Sequence, residues 1–282
     1  MQHQNLVIFD IETVADAAVV PNLLGVTPPN DVEGRIELEQ YHLAMTQGQN
    51  PFPRQLFHKV VAISILRAEI NRDGAHEVYY LQELRSGGKA ESTEAELING
   101  IFRFIDHHKP RLVSFNGRGF DLPVLKYRAM IHGVSGGWLH SAGDKWNSYH
   151  SRYAADWHCD LMEVLSDYGA SARIKLNEIC AVLGYPGKFG IEGSQVAEFY
   201  DDGRIDDIRD YCETDVLNTY LVYLRHMLHQ GTLSLEGYNR TIADLIAMIE
   251  AEKADRPHLG AFLEAWGTAC GNQFTLDETD RG

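Results

Sequence analysis

The sequence predicts an α/β domain with a mixed central sheet and a helix-rich C-terminal half. Short apolar runs rich in β-forming residues occur early in the chain, and helical patterns separate them. The second half is almost entirely of helical pattern. Strands and helices that alternate and then give way to helices are typical of an α/β arrangement. A length of 282 residues suits one large domain, or one domain with an appendage.

Four segments are predicted as strands. The first, residues 6–9, is a short run of Leu, Val, Ile and Phe that reads as a buried strand. Residues 60–66 and 77–81 are the second and third, and Gly74 marks the turn between them. Residues 112–115 form the fourth, and a glycine turn follows it.

Helix start signals divide the rest of the chain. Ser92 and Thr93 precede a helical pattern to residue 108, and Asp121 with Pro123 opens another to residue 131. Two irregular excursions are expected, residues 21–57 with a helix at 33–46, and residues 134–157. Later helices are expected at residues 160–168, 175–183, 194–200, 205–230, 238–253 and 258–268. We assign residues 1–231 to one domain and residues 232–282 to a helical extension packed on it.

Composition and charge exclude several classes of protein. The formal net charge of −15 argues against a sequence-tolerant coat for nucleic acid, which needs Lys and Arg. Residues 109–128 nevertheless hold five basic residues and one acidic residue. No apolar run approaches the roughly 18 residues of a membrane helix, and the N-terminus lacks the basic start of a secretory signal. The four cysteines are far apart, so we expect a reducing cytoplasm and no disulfide framework. Because no long apolar run is present, we expect no membrane partner.

An acidic pair follows the first strand. Asp10 and Glu12 are two residues apart, so their side chains point to the same face of an extended chain. Two adjacent negative charges are costly unless a cation lies between them, and oxygen ligands suit Mg²⁺ or Mn²⁺. A solvated strand end is the alternative for such a pair taken alone.

Two later segments add acidic residues. Asn116 and Asp121 flank a glycine turn between a strand and a helix, where a turn residue and an N-cap would be the simplest explanations. Tyr211 and Asp215 are four residues apart on a helix and therefore neighbours on one face. Apolar residues continue along that face, so Asp215 should be nearly buried and should need a cation or a proton.

The three segments occur in an order that is similar to a known family. FDIET at residues 9–13, FNGRGFDLPVL at 115–125 and YCETDVLNTY at 211–220 resemble the three motifs of the DEDD superfamily of 3′–5′ exonucleases. The segments at residues 58–65, 158–165 and 175–196 are also similar to this family, and the resemblance covers residues 5–225. The closest likeness is to the proofreading domain of family B DNA polymerases and to the stand-alone exonucleases related to it.

The resemblance implies a ribonuclease-H-like fold and a two-metal site. It assigns two Mg²⁺ or Mn²⁺ ions to Asp10, Glu12, Asp121 and Asp215, with Asp10 bridging the ions. Glu12 and Asp215 would hold the ion that activates water, and Asp121 would help to hold the other. A tyrosine four residues before the last aspartate indicates the tyrosine subclass, so Tyr211 would orient the attacking water because a free phenol, with a pKa near 10, is a poor base.

The expected activity is therefore removal of nucleoside 5′-monophosphates from the 3′ end of a single strand, with DNA favoured. RNA as substrate is one alternative. A non-catalytic nucleic-acid or protein-binding module on this fold is another, and an unrelated acidic enzyme is a third. A replication or repair protein is an expected partner. The resemblance makes Asn116 and Phe120 substrate contacts, with a place in the core as the alternative for Phe120, and it offers Thr13 and Leu176 for the pocket of the terminal sugar.

Several other features are weighed. Arg118, Lys126 and Lys188 could contact phosphate, although solvated charges are the commoner role. The aromatic residues of the second excursion could stack on bases, but we favour a small core within that loop. The 13 histidines show no zinc spacing, and the glycine clusters lack the phosphate-loop and dinucleotide patterns.

Overall fold

A computed structural model describes residues 3–188 and 193–277. Five strands form one mixed sheet in the order β3-β2-β1-β4-β5. Strand β2 is antiparallel to both of its neighbours, β1 and β3, whereas β4 runs parallel to β1 and β5 runs parallel to β4. The strands are β1 (Asn5–Ala15), β2 (His58–Asp73), β3 (His76–Ser86), β4 (Arg111–Ser114) and β5 (His158–Asp160).

Helices cover both faces of the sheet, and the expected α/β ribonuclease-H-like arrangement is confirmed. The helices up to the middle of the chain are α1 (Val20–Leu24), α2 (Asp31–Met45), α3 (Glu94–His108), α4 (Asp121–Ile131), α5 (Gly137–Ser141) and α6 (Leu161–Leu165). The later helices are α7 (Leu176–Leu183), α8 (Val196–Asp201), α9 (Ile205–His229), α10 (Leu235–Glu252) and α11 (Pro257–Ala269).

The alternation of side chains along β1 divides the core into two halves. Leu6 and Ile8 are buried among residues of α9, α10 and α11 on one face. Val7 and Phe9 are buried among residues of α3 and α4 on the other. Asp10 and Glu12 continue the first series, so their carboxylates point toward α9, and this period of two places them at the site described below.

All four predicted strands are present, but β1, β2 and β3 are longer than predicted, and β5 was missed. The first strand does not end at residue 9, because β1 stays paired with β2 as far as Ala15, with an irregular register between Glu12 and Thr13. Asp10 and Glu12 therefore lie within a strand and not after it. The three-residue β5 was not predicted, and its last residue was expected to begin a helix; β5 pairs with β4, and the helix begins only at Leu161.

The two excursions differ in how they pack. Between β1 and β2, α2 begins with an Asn30 cap, and Arg35 on it pairs with Asp201 of α8. In the second excursion Trp138, Tyr149 and Trp157 are buried, but they belong to the same core cluster as Val7 and Phe9 of β1. The prediction of a separate loop core was therefore wrong, because the excursion packs on the sheet, and Trp146 and Tyr153 are exposed.

The C-terminal helices pack on the domain that precedes them. Helix α10 contacts β3 and α9, and α11 contacts α9 and α10. The backbone N–H of Glu77 in β3 donates a hydrogen bond to the carbonyl of Thr232. The division at residue 231 stays a prediction. None of the helices in the described ranges has the length and apolarity that crossing a membrane requires.

Candidate active site

An open cleft of about 480 Å³ lies where β1, α4, α7 and α9 meet. Four carboxylates from three separate elements line it, together with one tyrosine hydroxyl and two lysines. The residues that line the cleft are Asp10, Ile11, Glu12, Phe115, Asn116, Phe120, Asp121, Met162, Lys175, Leu176, Asn177, Lys188, Gly193, Tyr211 and Asp215.

Strand β1 places Asp10 and Glu12 side by side. Ligand atoms of these two residues and of Cys212 on α9 lie within 4.8 Å of one another. Burial, followed by the charge of Asp10, raises the pKa of the Cys212 thiol well above its usual range. The thiol therefore stays protonated, and its Sγ donates to the Asp10 carbonyl oxygen at 3.4 Å. The oxygen atoms of Asp10 and Glu12 are left as the ligands for a hard cation.

The turn before α4 positions Asn116 and Asp121. Asn116 has a left-handed backbone (φ 68°), a conformation that costs free energy unless its surroundings hold it. The carboxylate of Asp160, at the end of β5, accepts the backbone N–H groups of Asn116 and Arg118, each at 2.9 Å. A side chain at Gly119 would collide with the side-chain carboxamide oxygen of Asn116. This turn delivers Asp121 to the first position of α4, where its Oδ1 accepts the N–H of Ile11 at 3.2 Å.

Helix α9 supplies the remaining groups from its buried face. Tyr211 and Asp215 are neighbours there, and both the phenol oxygen and an Asp215 oxygen face Nζ of Lys188. Burial, followed by the charge of Asp215, raises the pKa of Tyr211 well above its usual range. The phenol is therefore a neutral hydrogen-bonding group at neutral pH and cannot serve as a base.

Lys188 brings a positive charge to the carboxylates. Its Nζ donates to the Tyr211 hydroxyl at 2.5 Å and lies 3.5 Å from Asp215 Oδ2. Burial lowers the pKa of this ammonium, but the nearby carboxylates, Asp215 first, outweigh that effect and raise it. The backbone N–H of Lys188 donates to Asn177 Oδ1 at 3.0 Å, which fixes the lysine at the cleft.

The carboxylates carry more negative charge than the single ammonium balances. Burial is the main cause that raises the pKa of each, and the neighbouring carboxylates add to it for Asp10 and Glu12. The pKa of Asp121 rises to about 7 and that of Asp215 also rises. Oδ1 of Asp215 is buried with no hydrogen-bond partner among the described residues. An unpaired acceptor within a cluster of repelling oxygens fits a divalent cation.

The cleft brings together most of the residues that the sequence singled out. Asp10, Glu12, Asn116, Phe120, Asp121, Tyr211 and Asp215 all line it, as does Leu176. Thr13 is not among the lining residues, and its hydroxyl bonds Nδ1 of His58 at 3.0 Å.

Two of the three basic candidates lie elsewhere. Arg118 donates to the carbonyls of Tyr149, Ser151 and His158 and so binds the second excursion. Lys126 lines an apolar pocket beside α4. Lys188 alone of the three lies in the cleft.

Sequence reasoning missed the residues that hold the cleft in shape. Asp160 was passed over within the segment HCDLMEVL, although an aspartate between a strand and a helix start is a detectable signal. Asn218, one turn after Asp215, binds the N–H and the carbonyl of Gly187, next to Lys188. No local pattern predicts that contact, because its partners are 31 residues apart.

Comparison with known proteins agrees with this arrangement. Residues 50–266 match a family described as predicted 3′–5′ exonucleases related to the exonuclease domain of PolB. No curated protein matches the chain. The matched range includes Asp121, Tyr211 and Asp215; Asp10 and Glu12 precede it, and the fold brings them to the same cleft. Because the match spans more than half of the sequence, the chain belongs to this family of exonucleases related to PolB.

Proposed function

We propose that the protein is a metal-dependent 3′–5′ exonuclease that hydrolyses phosphodiester bonds at the 3′ end of a single strand, DNA in preference to RNA. The observation that carries the proposal is the convergence of Asp10, Glu12, Asp121 and Asp215 in one open cleft, with a buried oxygen of Asp215 unpaired. The products would be nucleoside 5′-monophosphates.

The four carboxylates would hold two Mg²⁺ or Mn²⁺ ions. Their oxygen donors are the type that both ions prefer, and the protonated thiol of Cys212 leaves the donor set purely of oxygen. When bound, such ions make a nucleophile from water at neutral pH and stabilise the leaving 3′ oxygen. Each carboxylate comes from an element with other anchors in the core, so the donor set is held in place before the ions arrive.

Tyr211 would position the attacking water and not deprotonate it. Its hydroxyl oxygen accepts a hydrogen bond from Lys188. A further lone pair of the phenol oxygen can accept a hydrogen from water, which fixes the direction of that water's own lone pairs. Lys188, three and a half ångström from Asp215, carries the charge that a phosphate oxygen in the cleft would meet.

Asn116 and Phe120 would hold the terminal nucleotides. Both line the cleft beside Asp121, and the left-handed backbone of Asn116 is held by Asp160. A phenylalanine ring stacks on any base, which suits an enzyme that degrades without regard to sequence. Thr13 adjoins Glu12, but its hydroxyl is engaged with His58, so we assign the contacts with the terminal nucleotide to Asn116 and Phe120 first. The preference for DNA rests on the relation of the family to the exonuclease domain of PolB.

A degradation assay tests the proposal. DNA and RNA strands of one sequence, each labelled at the 5′ end, are incubated with Mg²⁺, with Mn²⁺ or with EDTA, and Asp10→Ala is the control. A ladder that shortens from the 3′ end, needs metal and is absent with Asp10→Ala is the expected result, with DNA cleaved faster. No cleavage of either strand by the folded, metal-loaded protein, alone or with a replication or repair extract, would contradict it.

A further inference from the structure

A phenylalanine of the first excursion lies exposed at the edge of the cleft. Phe52 has 53% of its surface accessible, which is high for an aromatic side chain. It lies in the segment between α2 and β2, whose part in the proposed activity is so far unassigned. An exposed aromatic ring beside a residue that lines the cleft is available to stack on a base.

Phe52 belongs to a group of three rings that reaches into the cleft. Its ring centroid is 5.8 Å from that of Phe120 and 4.8 Å from that of His58. The His58 and Phe120 rings meet edge to face at 5.3 Å. Phe120 lines the cleft next to Asp121, and Phe52, which is not itself a lining residue, contacts the Phe120 ring.

The segment that carries Phe52 is tied to both neighbouring elements. The backbone N–H of Phe52 donates to Asn50 Oδ1 at 2.9 Å, and the Asn50 carbonyl is bound by His42 of α2. On the other side, Gln55 donates to the carbonyl of Gly119, inside the turn that positions Asp121. The ring is thus held against the wall of the cleft, and ordering it on binding would cost little conformational entropy.

The third ring of the group is neutral and buried. Burial lowers the pKa of His58, and the hydrogen bond to the Pro53 carbonyl offsets this only in part. Nδ1 of His58 faces the Thr13 hydroxyl and Nε2 faces the Pro53 carbonyl. His58 is therefore a neutral ring packed against the two phenylalanines, and it adds no charge that could select a phosphate.

We propose that Phe52 and Phe120 form a two-ring stacking subsite, in which Phe120 contacts the 3′-terminal nucleotide and Phe52 stacks on an unpaired base upstream of it. The inference rests on the proposed exonuclease function and extends it from the terminal nucleotide to the strand that follows. Each nucleobase offers a flat apolar face, and stacking on an aromatic ring is independent of its identity. A paired base is already covered by its neighbours in the duplex, so the subsite favours single-stranded ends.

Binding of a fluorescent oligonucleotide tests the subsite without relying on catalysis. All variants are made in the Asp10→Ala background, so that the strand is not consumed, and fluorescence anisotropy gives Kd. Phe52→Ala is expected to raise Kd about tenfold, equivalent to about 1.4 kcal/mol. Phe52→Trp should keep the affinity, whereas Phe52→Leu, of similar bulk but without a ring, should behave like Phe52→Ala. Tyr80→Ala, which removes an exposed ring on β3, is the matched control and should leave Kd unchanged.

Abasic residues placed at successive upstream positions identify the base that stacks. At one or two positions an abasic residue should weaken binding to the Phe52 parent about tenfold, and the same substitution should have little effect on Phe52→Ala. In the active enzyme, Phe52→Ala should raise KM with a much smaller change in kcat.

The outcomes separate the two proposals. If the protein with its native Asp10 degrades no strand but Phe52→Ala still weakens binding, the exonuclease proposal fails and the stacking subsite stands. If the enzyme degrades strands and Phe52→Ala leaves Kd and KM unchanged, the subsite is refuted. Equal affinity of Phe52→Leu and Phe52→Trp would also refute stacking, because it would show that apolar bulk suffices.

Discussion

Two buried carboxylates on α9, only two residues apart, have opposite surroundings. Glu213 accepts hydrogen bonds from Ser86, Arg256 and His258, and these contacts join β3 and α11 to the helix. Asp215 keeps one oxygen without a partner among the described residues. Burial raises the pKa of both, yet the pKa of Glu213 is lowered overall by its hydrogen bonds with His258 and Arg256, while that of Asp215 stays raised.

The difference separates a structural acid from a candidate catalytic one. A buried charge that is fully paired helps to hold structural elements together. A buried charge with too few partners lowers the stability of the fold, and such charges cluster at functional sites. Glu77 resembles Glu213 in this respect, because Arg111 binds both of its oxygens at 2.6 and 2.9 Å. Within the described residues, the carboxylates of the cleft have only Lys188 as an ion-pair partner.

The largest predicted effect is on the activity of Asp215→Asn. Removing this charge should lower kcat by at least about a thousandfold, since metal and water positioning both depend on it. The melting temperature of the metal-free protein should stay the same or rise, because one of four repelling carboxylates is gone. Kinetics on a labelled strand and a thermal melt in EDTA measure the two quantities. A large loss of stability would place Asp215 with the structural acids instead.

Glu213→Gln should show the reverse pattern. Removing one partner of a buried ion-pair group should cost about 3–5 kcal/mol of unfolding free energy. At temperatures where the variant is folded, its kcat should be within about twofold of the parent, a change equivalent to only about 0.4 kcal/mol. Urea unfolding and the exonuclease assay give the comparison. A variant that is stable but inactive would overturn the distinction between the two acids.

The sequence was sufficient to predict the residues of the three motifs, but not the contacts that hold those residues in place. Asp10 with Glu12, and Tyr211 with Asp215, could be predicted because the periods of strands and helices bring residues of fixed spacing to one face. Asp160 could have been predicted as a helix cap, but not as the residue that holds the turn before α4, because β5 has three residues and its pairing with β4 shows in no local pattern. The aromatic contact of Phe52 with Phe120 also depends on tertiary packing across 68 residues of the chain.

A third prediction concerns the residue that the sequence missed. Asp160→Asn replaces one acceptor oxygen with a donor and should loosen the turn that carries Asn116 and Asp121. Supporting hydrogen bonds of this kind are worth about ten- to a hundredfold in activity, so kcat/KM should fall by that factor. Asp167→Asn, on the surface of the same segment, is the control. An Asp160→Asn enzyme with unaltered kcat/KM would show that the turn needs no such support.

The smallest expected effect is the pH dependence of the structural cluster. Burial lowers the pKa of His258, but the neighbouring carboxylates of Asp210 and Glu213, at 3.1 and 2.8 Å from its ring nitrogens, outweigh that effect and raise the pKa above its usual value. A group with a raised pKa in the folded state stabilises below its unfolded pKa, and the contribution is lost as pH rises through the folded value. The free energy of unfolding should therefore fall by about 1 kcal/mol above neutral pH. His258→Gln should remove this dependence, and an unchanged slope would contradict the assignment.

The most direct test of the central claim is a Mn²⁺ titration of the protein followed by calorimetry and by exonuclease rate in parallel. The account predicts binding of two ions per chain, with the rate rising as the ions bind. Both should be lost in Asp10→Asn and Asp215→Asn and retained in Glu213→Gln. Absence of Mn²⁺ binding to the folded parent protein, or binding that survives in Asp10→Asn and Asp215→Asn, would contradict the claim that this carboxylate cluster is the metal centre of an exonuclease.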